Sequence, residues 1–320
     1  MPTHSSTRSN PVAEFLAQQS PLILDGALGT ELERRGADLK DPLWTAKLLL
    51  EQPGLIRAVH LDYFAAGADV ATTASYQATF EGFARRGIGF VRAAALLCAS
   101  VESAVSARDE FWAVDTNRPG RLRPLVAASV GPYGAMLADG SEYRGDYGLG
   151  VDALMNFHRP RIRELATAGP DLLAFETIPS LDEAVALARV LEETPAMSAW
   201  IAFSCKNGTH TCEGQRVADC VAALEAFPQI VSVGVNCTAP EHVPSLLQQM
   251  RGRTDKPLLA YPNAGGRYDA AARRWSCASG TAGFAAAARV WHAAGAELIG
   301  GCCRTAPADI HAIRAWARPR

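Results

Sequence analysis

The 320-residue chain has few of the features that mark special classes of protein. Charged residues make up only 20% and the formal net charge is -2, which excludes the strongly basic surface of a nucleic-acid binder and the charge-rich composition of a disordered chain. No unbroken apolar run approaches the roughly 20 residues of a membrane helix; stretches such as Ala93-Ala94-Ala95-Leu96-Leu97 are short. Residues 1–10 are polar, with Ser5, Ser6, Thr7 and Ser9, and lack the apolar centre of a secretion signal. They predict a loose tail and a cytoplasmic protein without membrane or nucleic-acid partners. The eight cysteines (Cys98, Cys205, Cys212, Cys220, Cys237, Cys277, Cys302 and Cys303) fall far below the density of a disulfide scaffold. That leaves a metal or reactive-thiol role in a reducing compartment. The seven histidines show no His-x-x-x-His spacing.

What is present is 48% hydrophobic residues, arranged as short apolar runs alternating with longer amphipathic segments. The runs at 22–25, 69–73, 125–129, 172–176, 200–204, 231–236, 258–261 and 297–301 predict eight strands. The intervening segments at 55–66, 90–108, 155–168, 181–193, 217–226, 243–250, 283–294 and 308–316 predict helices. Eight such units imply an α/β fold, a (β/α)8 TIM barrel in one domain over residues 21–320, behind a tail and lead-in at 1–20. The strands are rich in Val, Ile, Leu and Ala rather than alternating, as expected where both faces are buried. An open doubly wound sheet is the alternative, weakened by the absence of a Gly-x-Gly-x-x-Gly turn after the first strand.

Barrel active sites form where strands end. Polar residues collect there: Asp25-Gly26-Ala27, Thr72-Thr73 with Ser75-Tyr76-Gln77, Glu176-Thr177, Asn236-Cys237, Asn263 and Cys302-Cys303. Neighbouring side chains in a regular strand point to opposite faces. Cys302 and Cys303 can therefore share one ligand only if the pleat breaks beside Gly300-Gly301. With Cys237 they form a thiolate tripod suited to Zn2+, three protein ligands leaving a fourth position for chemistry. The alternatives are two inert buried cysteines or a structural zinc, which normally takes four protein ligands. The remaining cysteines read as packing or loop residues. A long segment from 131 to 150, mixing Asp139, Glu142 and Asp146 with Tyr133, Tyr143 and Tyr147, reads as a functional loop on the active-site face.

The motifs Asp25-Gly26-Ala27-Leu28-Gly29-Thr30, Ala74-Ser75-Tyr76-Gln77-Ala78, Phe175-Glu176-Thr177-Ile178-Pro179, Gly234-Val235-Asn236-Cys237, Tyr261-Pro262-Asn263 and Gly300-Gly301-Cys302-Cys303-Arg304-Thr305 carry a resemblance running from Leu22 to Ile313. In these residues, and in the stretch from Ala138 to Asp146, the chain resembles the zinc-dependent homocysteine S-methyltransferases. The resemblance implies a zinc on Cys237, Cys302 and Cys303 and L-homocysteine as methyl acceptor. It also implies a sulfonium donor: Thr177 follows Glu176 where the betaine-using branch would carry tyrosine, and the pair Tyr268-Asp269 and the acidic loop look more like the S-methylmethionine-using branch.

On this reading Asp25 and Glu176 hold an ammonium and the backbone N–H groups of the turn from Gly26 and Ala27 to Thr30 hold a carboxylate, while Thr73, Thr177 and Asn236 line the substrate. Glu142, Tyr143 and Asp146 face the donor. S-adenosylmethionine or betaine as donor, a selenocysteine-type acceptor, a corrinoid-dependent partner enzyme and a non-catalytic zinc- or thiol-binding barrel remain as alternatives. The assembly expected is a monomer or homodimer.

Overall fold

The computed structural model describes residues 10–265, 268–269, 274–275 and 281–319. Eight parallel strands form a ring: β1 (Leu22–Ile23), β2 (Val70–Thr72), β3 (Leu125–Val130), β4 (Leu172–Ile178), β5 (Ala199–Phe203), β6 (Ile230–Asn236), β7 (Leu258–Tyr261) and β8 (Ala296–Ile299). β8 pairs with both β7 and β1, with Leu22 opposite Leu298. A parallel bridge between Leu24 and Val70 joins β1 to β2 and closes the barrel.

Each strand leads to a ring helix: α1 (Pro53–Ala66), α2 (Phe90–Ala113), α3 (Val151–Thr167), α4 (Leu181–Glu192), α5 (Val217–Leu224), α6 (Val243–Met250), α7 (Thr281–Ala293) and α8 (Pro307–Ala317). The expected (β/α)8 barrel is present.

β4 shows why its sequence lacks polar alternation. Leu172 and Ala174 point into the barrel with Trp200 and Leu259, while Leu173 and Phe175 pack outward under the helices. Both faces are dry, so both are apolar. Two residues beyond Ala174 the inward series reaches Glu176, the first polar group on that face.

Three features depart from the expectations. Within the stretch read as tail and lead-in, Pro11–Leu16 forms a helix, started by Pro11 and by the Asn10 side chain accepting from the Ala13 amide at 3.0 Å. Its Val12 and Phe15 are buried in the barrel interior, where they close the end at which the strands begin. A further short helix, Leu28–Arg34, follows β1. Helix α2 is 24 residues and, contrary to the reading of short runs, long and apolar enough to cross a bilayer. Its apolar residues are spread along the helix rather than consecutive, and Ala93, Leu97, Val101 and Ala104 are buried within the ring, where the helix contacts α1 and α3. The expectations for residues 1–9 and for Cys277 lie outside the described residues.

Candidate metal and substrate site

At the end of β8 the chain passes so close to β1 that a Cβ on Gly300 would stand 2.6 Å from the Leu24 Cβ, and one on Gly301 would meet the Thr305 hydroxyl at 2.4 Å. The glycine pair is therefore required, and beyond it the pleat is lost. The Cys302 amide donates to the Pro262 carbonyl at 2.8 Å, and the Cys303 carbonyl accepts from the Ala264 amide at 3.0 Å. Cys237 follows β6 with a left-handed φ of 45°, which turns its side chain away from the strand's own direction.

The three Sγ atoms come within 4.8 Å of one another, and Cys237 and Cys303 are 3.7 Å apart. Sulfurs around a tetrahedral zinc with bonds of about 2.3 Å would be about 3.8 Å apart. The donor set and its spacing thus fit a soft, thiophilic ion. Hydrogen bonds from Cys237 and Cys302 hold the Cys303 thiol well below its ordinary value, while bonds to the other two sulfurs, followed by burial, push Cys302 well up. Three sulfurs this close together make a cluster that gains from a cation.

Around the sulfurs, Asn236 fastens two strand ends together. Its Oδ1 accepts from the Thr177 amide at 2.6 Å, and its Nδ2 donates to the Thr177 hydroxyl at 2.9 Å and lies 4.0 Å from the Cys302 sulfur. Thr177 itself is left-handed, φ 62°. Glu176 is buried, its carboxylate accepting from the Ser129 hydroxyl and from the Tyr261 hydroxyl at 3.1 Å, which in turn accepts from the Trp200 indole at 3.2 Å. Burial raises Glu176 to about 7 despite these bonds. Asp25 accepts from the Thr72 amide at 2.7 Å and hydroxyl at 3.0 Å. Burial outweighs those bonds and, with Glu176 adding repulsion, raises it to about 8. Two acids this poorly solvated are prepared for a cationic partner.

The loop at 131–150 brings Glu142 and Tyr143 to the same place. Tyr143 hydrogen-bonds the Cys237 sulfur, so it stands at the metal centre rather than only at a donor site. Glu142 is raised to about 7, first by burial and further by the charge at Cys237, and its Oε2 is buried without a partner.

Other expected residues are placed differently. The Thr73 hydroxyl pairs with Ser75 at 2.6 Å and accepts from the Ser129 amide at 3.0 Å, so it braces the strand ends. Gly26 is packed against Tyr63 and Thr305, and the Ala27 amide already donates to the Thr305 hydroxyl at 3.0 Å. Asp146 is exposed, on a separate surface cavity with Tyr147, Asp182 and Glu213. Tyr268 and Asp269 form one strand of a two-stranded antiparallel pair with Arg274–Trp275. Cys205 and Cys220 are buried, and neither they nor Cys98 and Cys212 join the sulfur cluster.

Three contributors went unassigned. Tyr76 is linked by a hydrogen bond to Thr177 and lies near Glu142 and Cys237, and Tyr261 and Ser129 hold Glu176. Tyr76 was signalled by its place after β2 and Tyr261 by its motif Tyr261-Pro262-Asn263, though neither was given a role; Ser129 read only as a strand residue.

Soft sulfur donors at a barrel mouth, over acids prepared for a cation, define the chain as a metal-site barrel that takes small molecules. It belongs to the homocysteine S-methyltransferase family, whose sequence signature matches residues 22–317. It is 52% identical over 309 residues to the Bacillus subtilis homocysteine S-methyltransferase YbgG, covering 97% of this chain and 98% of that one. It is 46% identical over 301 residues to a selenocysteine Se-methyltransferase of Brassica oleracea, covering 91% and 87%. The metallated crystal form of the homocysteine methyltransferase MmuM from Escherichia coli matches with a TM-score of 0.86 at 49% identity, covering 96% of this chain and 100% of that chain. The protein is thus a methyl-transferring enzyme with homocysteine and a methyl donor as its substrates.

Proposed function

We propose that the enzyme moves a methyl group from S-methylmethionine to the thiol of L-homocysteine, with zinc held by Cys237, Cys302 and Cys303. The observation carrying this reading is the 3.7 Å approach of Cys237 and Cys303 within a three-sulfur cluster flanked by buried acids. A free thiol has a pKa of about 8.5 and is mostly protonated at neutral pH. Zinc, when bound, supplies the positive charge that lets the acceptor thiol lose its proton to solvent.

The chain's own groups do the rest. Asp25 and Glu176 pair with the ammonium of homocysteine, which draws both back to the ionised state. Asn236 keeps Cys302 and the Thr177 backbone in register. Tyr143 donates to Cys237 and moderates its charge. Glu142, with its unpartnered oxygen, and the Tyr76 ring receive the cationic donor by charge and cation–π attraction. The acceptor sulfur attacks the methyl carbon in line; a new C–S bond forms as the donor's C–S bond breaks. The departing electron pair neutralises the sulfonium, giving two methionines. Holding the reactants together can lower the barrier by roughly 7–11 kcal/mol at most.

The test is methionine formation by the zinc-loaded chain with S-methylmethionine, S-adenosylmethionine and betaine in turn. Turnover with S-methylmethionine is expected; turnover with betaine alone would reject the reading.

A further inference from the structure

Behind the site, α3 and α4 carry polar residues where helix packing calls for apolar ones. The buried stripe of α3 is Leu154, Phe157, His158, Arg161, Ile162 and Leu165, spaced as a helix face, and α4 adds Glu183. His158 and Glu183 are 0% exposed and Arg161 is 1% exposed. Replacing buried ion pairs and their polar partners with apolar groups of similar size is often neutral or stabilising, so packing alone does not account for these three polar side chains.

Their hydrogen bonds converge on the root of the 131–150 loop. Arg161 Nη2 donates to the Gly131 carbonyl and to His158 Nδ1, the latter at 2.6 Å. Since Nδ1 accepts, His158 carries its proton on Nε2 and donates to Glu183 Oε1 at 2.8 Å. That same oxygen accepts the Tyr133 amide at 2.6 Å. The carbonyl of Gly131 and the amide of Tyr133 are thus gripped from two helices, with Pro132 between them fixing the backbone. Farther along, the Asp146 amide donates to Glu213 at 2.7 Å and the Ser204 hydroxyl to the Glu142 carbonyl at 3.2 Å. Between these fastenings lie Glu142 and Tyr143.

We propose that Glu183, oriented by His158 and Arg161, is a positioning residue for the methyl donor: it fixes the loop that presents Glu142 to the sulfonium. The inference rests on the donor role given to Glu142 above. Homocysteine is held by Asp25 and Glu176 outside this loop, which reaches the acceptor side only through the Tyr143 bond to Cys237, so the donor responds more strongly than the acceptor when the grip is lost.

In Glu183→Ala, with zinc bound, the KM for S-methylmethionine is expected to rise about tenfold, the KM for homocysteine to rise several-fold less, and amide hydrogen exchange across 131–150 to accelerate. Glu183→Gln, which keeps an acceptor for the Tyr133 amide, is expected to restore most of the donor KM and the slow exchange. If Glu183→Ala does not fold, Arg161→Lys serves instead, since an ammonium cannot bridge Gly131 and His158 as the planar guanidinium does. Unchanged donor KM and exchange in a folded variant, or equal rises in both KM values, would overturn the proposal. A parallel Glu142→Gln separates the two ideas. If it leaves the donor KM unchanged, the donor role of Glu142 is what fails, and faster or unchanged exchange in Glu183→Ala then decides whether Glu183 holds the loop.

Discussion

At the scale of single residues, the site is a set of groups held in states they would not choose in water. Glu176, at about 7, keeps its proton in the fold through a pH range in which the unfolded chain, near 4.5, has lost it. The fold therefore binds the extra proton between those values, and its stability falls as pH rises through them. Glu176→Gln removes that penalty. In the substrate-free enzyme its Tm is expected to exceed wild type by roughly 1–2 °C at pH 8, for about 1 kcal/mol, with little difference at pH 4, while the KM for homocysteine rises. Thermal melts at the two pH values check the sign; a difference that is larger at the lower pH would contradict the burial argument. Cys237 gives a second case. Cys237→Ala leaves two sulfurs, and bound zinc is expected to drop from about one per chain to a small fraction with loss of turnover. Cys212→Ala, outside the cluster, is expected to keep the metal.

At the scale of elements, strand ends rather than strands make the site. Thr177 at the end of β4, Cys237 after β6 and Arg304 after β8 all take left-handed backbone, at φ 62°, 45° and 70°, without being glycine. Such conformations cost on the order of 1–3 kcal/mol and persist only where neighbours impose them. Asn236 imposes one of them by taking the Thr177 amide. Asn236→Ala leaves that buried donor unpaired, so a loss of about 1–3 kcal/mol in stability is expected, together with zinc affinity about 10–100-fold weaker through the lost contact with Cys302. Urea unfolding and competition with a chelator measure the two effects separately.

At the scale of the whole molecule, the barrel has a closed end and a working end. The helix Pro11–Leu16 seals the first with Val12 and Phe15, and all three sulfurs open at the second. Phe15→Ala is expected to destabilise the protein by roughly 3–5 kcal/mol yet leave zinc content and both KM values unchanged, since the helix that carries it packs where the strands begin, away from the strand ends that hold the sulfurs. A fall in zinc affinity in a folded Phe15→Ala protein would show that the two ends are coupled.

Eight apolar runs with helical segments between them were legible in the amino-acid order because each reflects a local period, two faces of a strand or one face of a helix. Observed α6 has the bounds expected, and most other ring helices differ by one or two residues at an end. Cys302 and Cys303 announced themselves because adjacent cysteines beside paired glycines have few other uses. Other features depended on distance in space, which no local period carries. The hydroxyl of Thr73 turned out to be committed to Ser75 and Ser129, Tyr143 to the Cys237 sulfur, and His158 to Glu183. Those pairings exist only once ring closure has brought separate strand ends and helices together, because burial then forces each polar group to find whichever partner the barrel has left within reach.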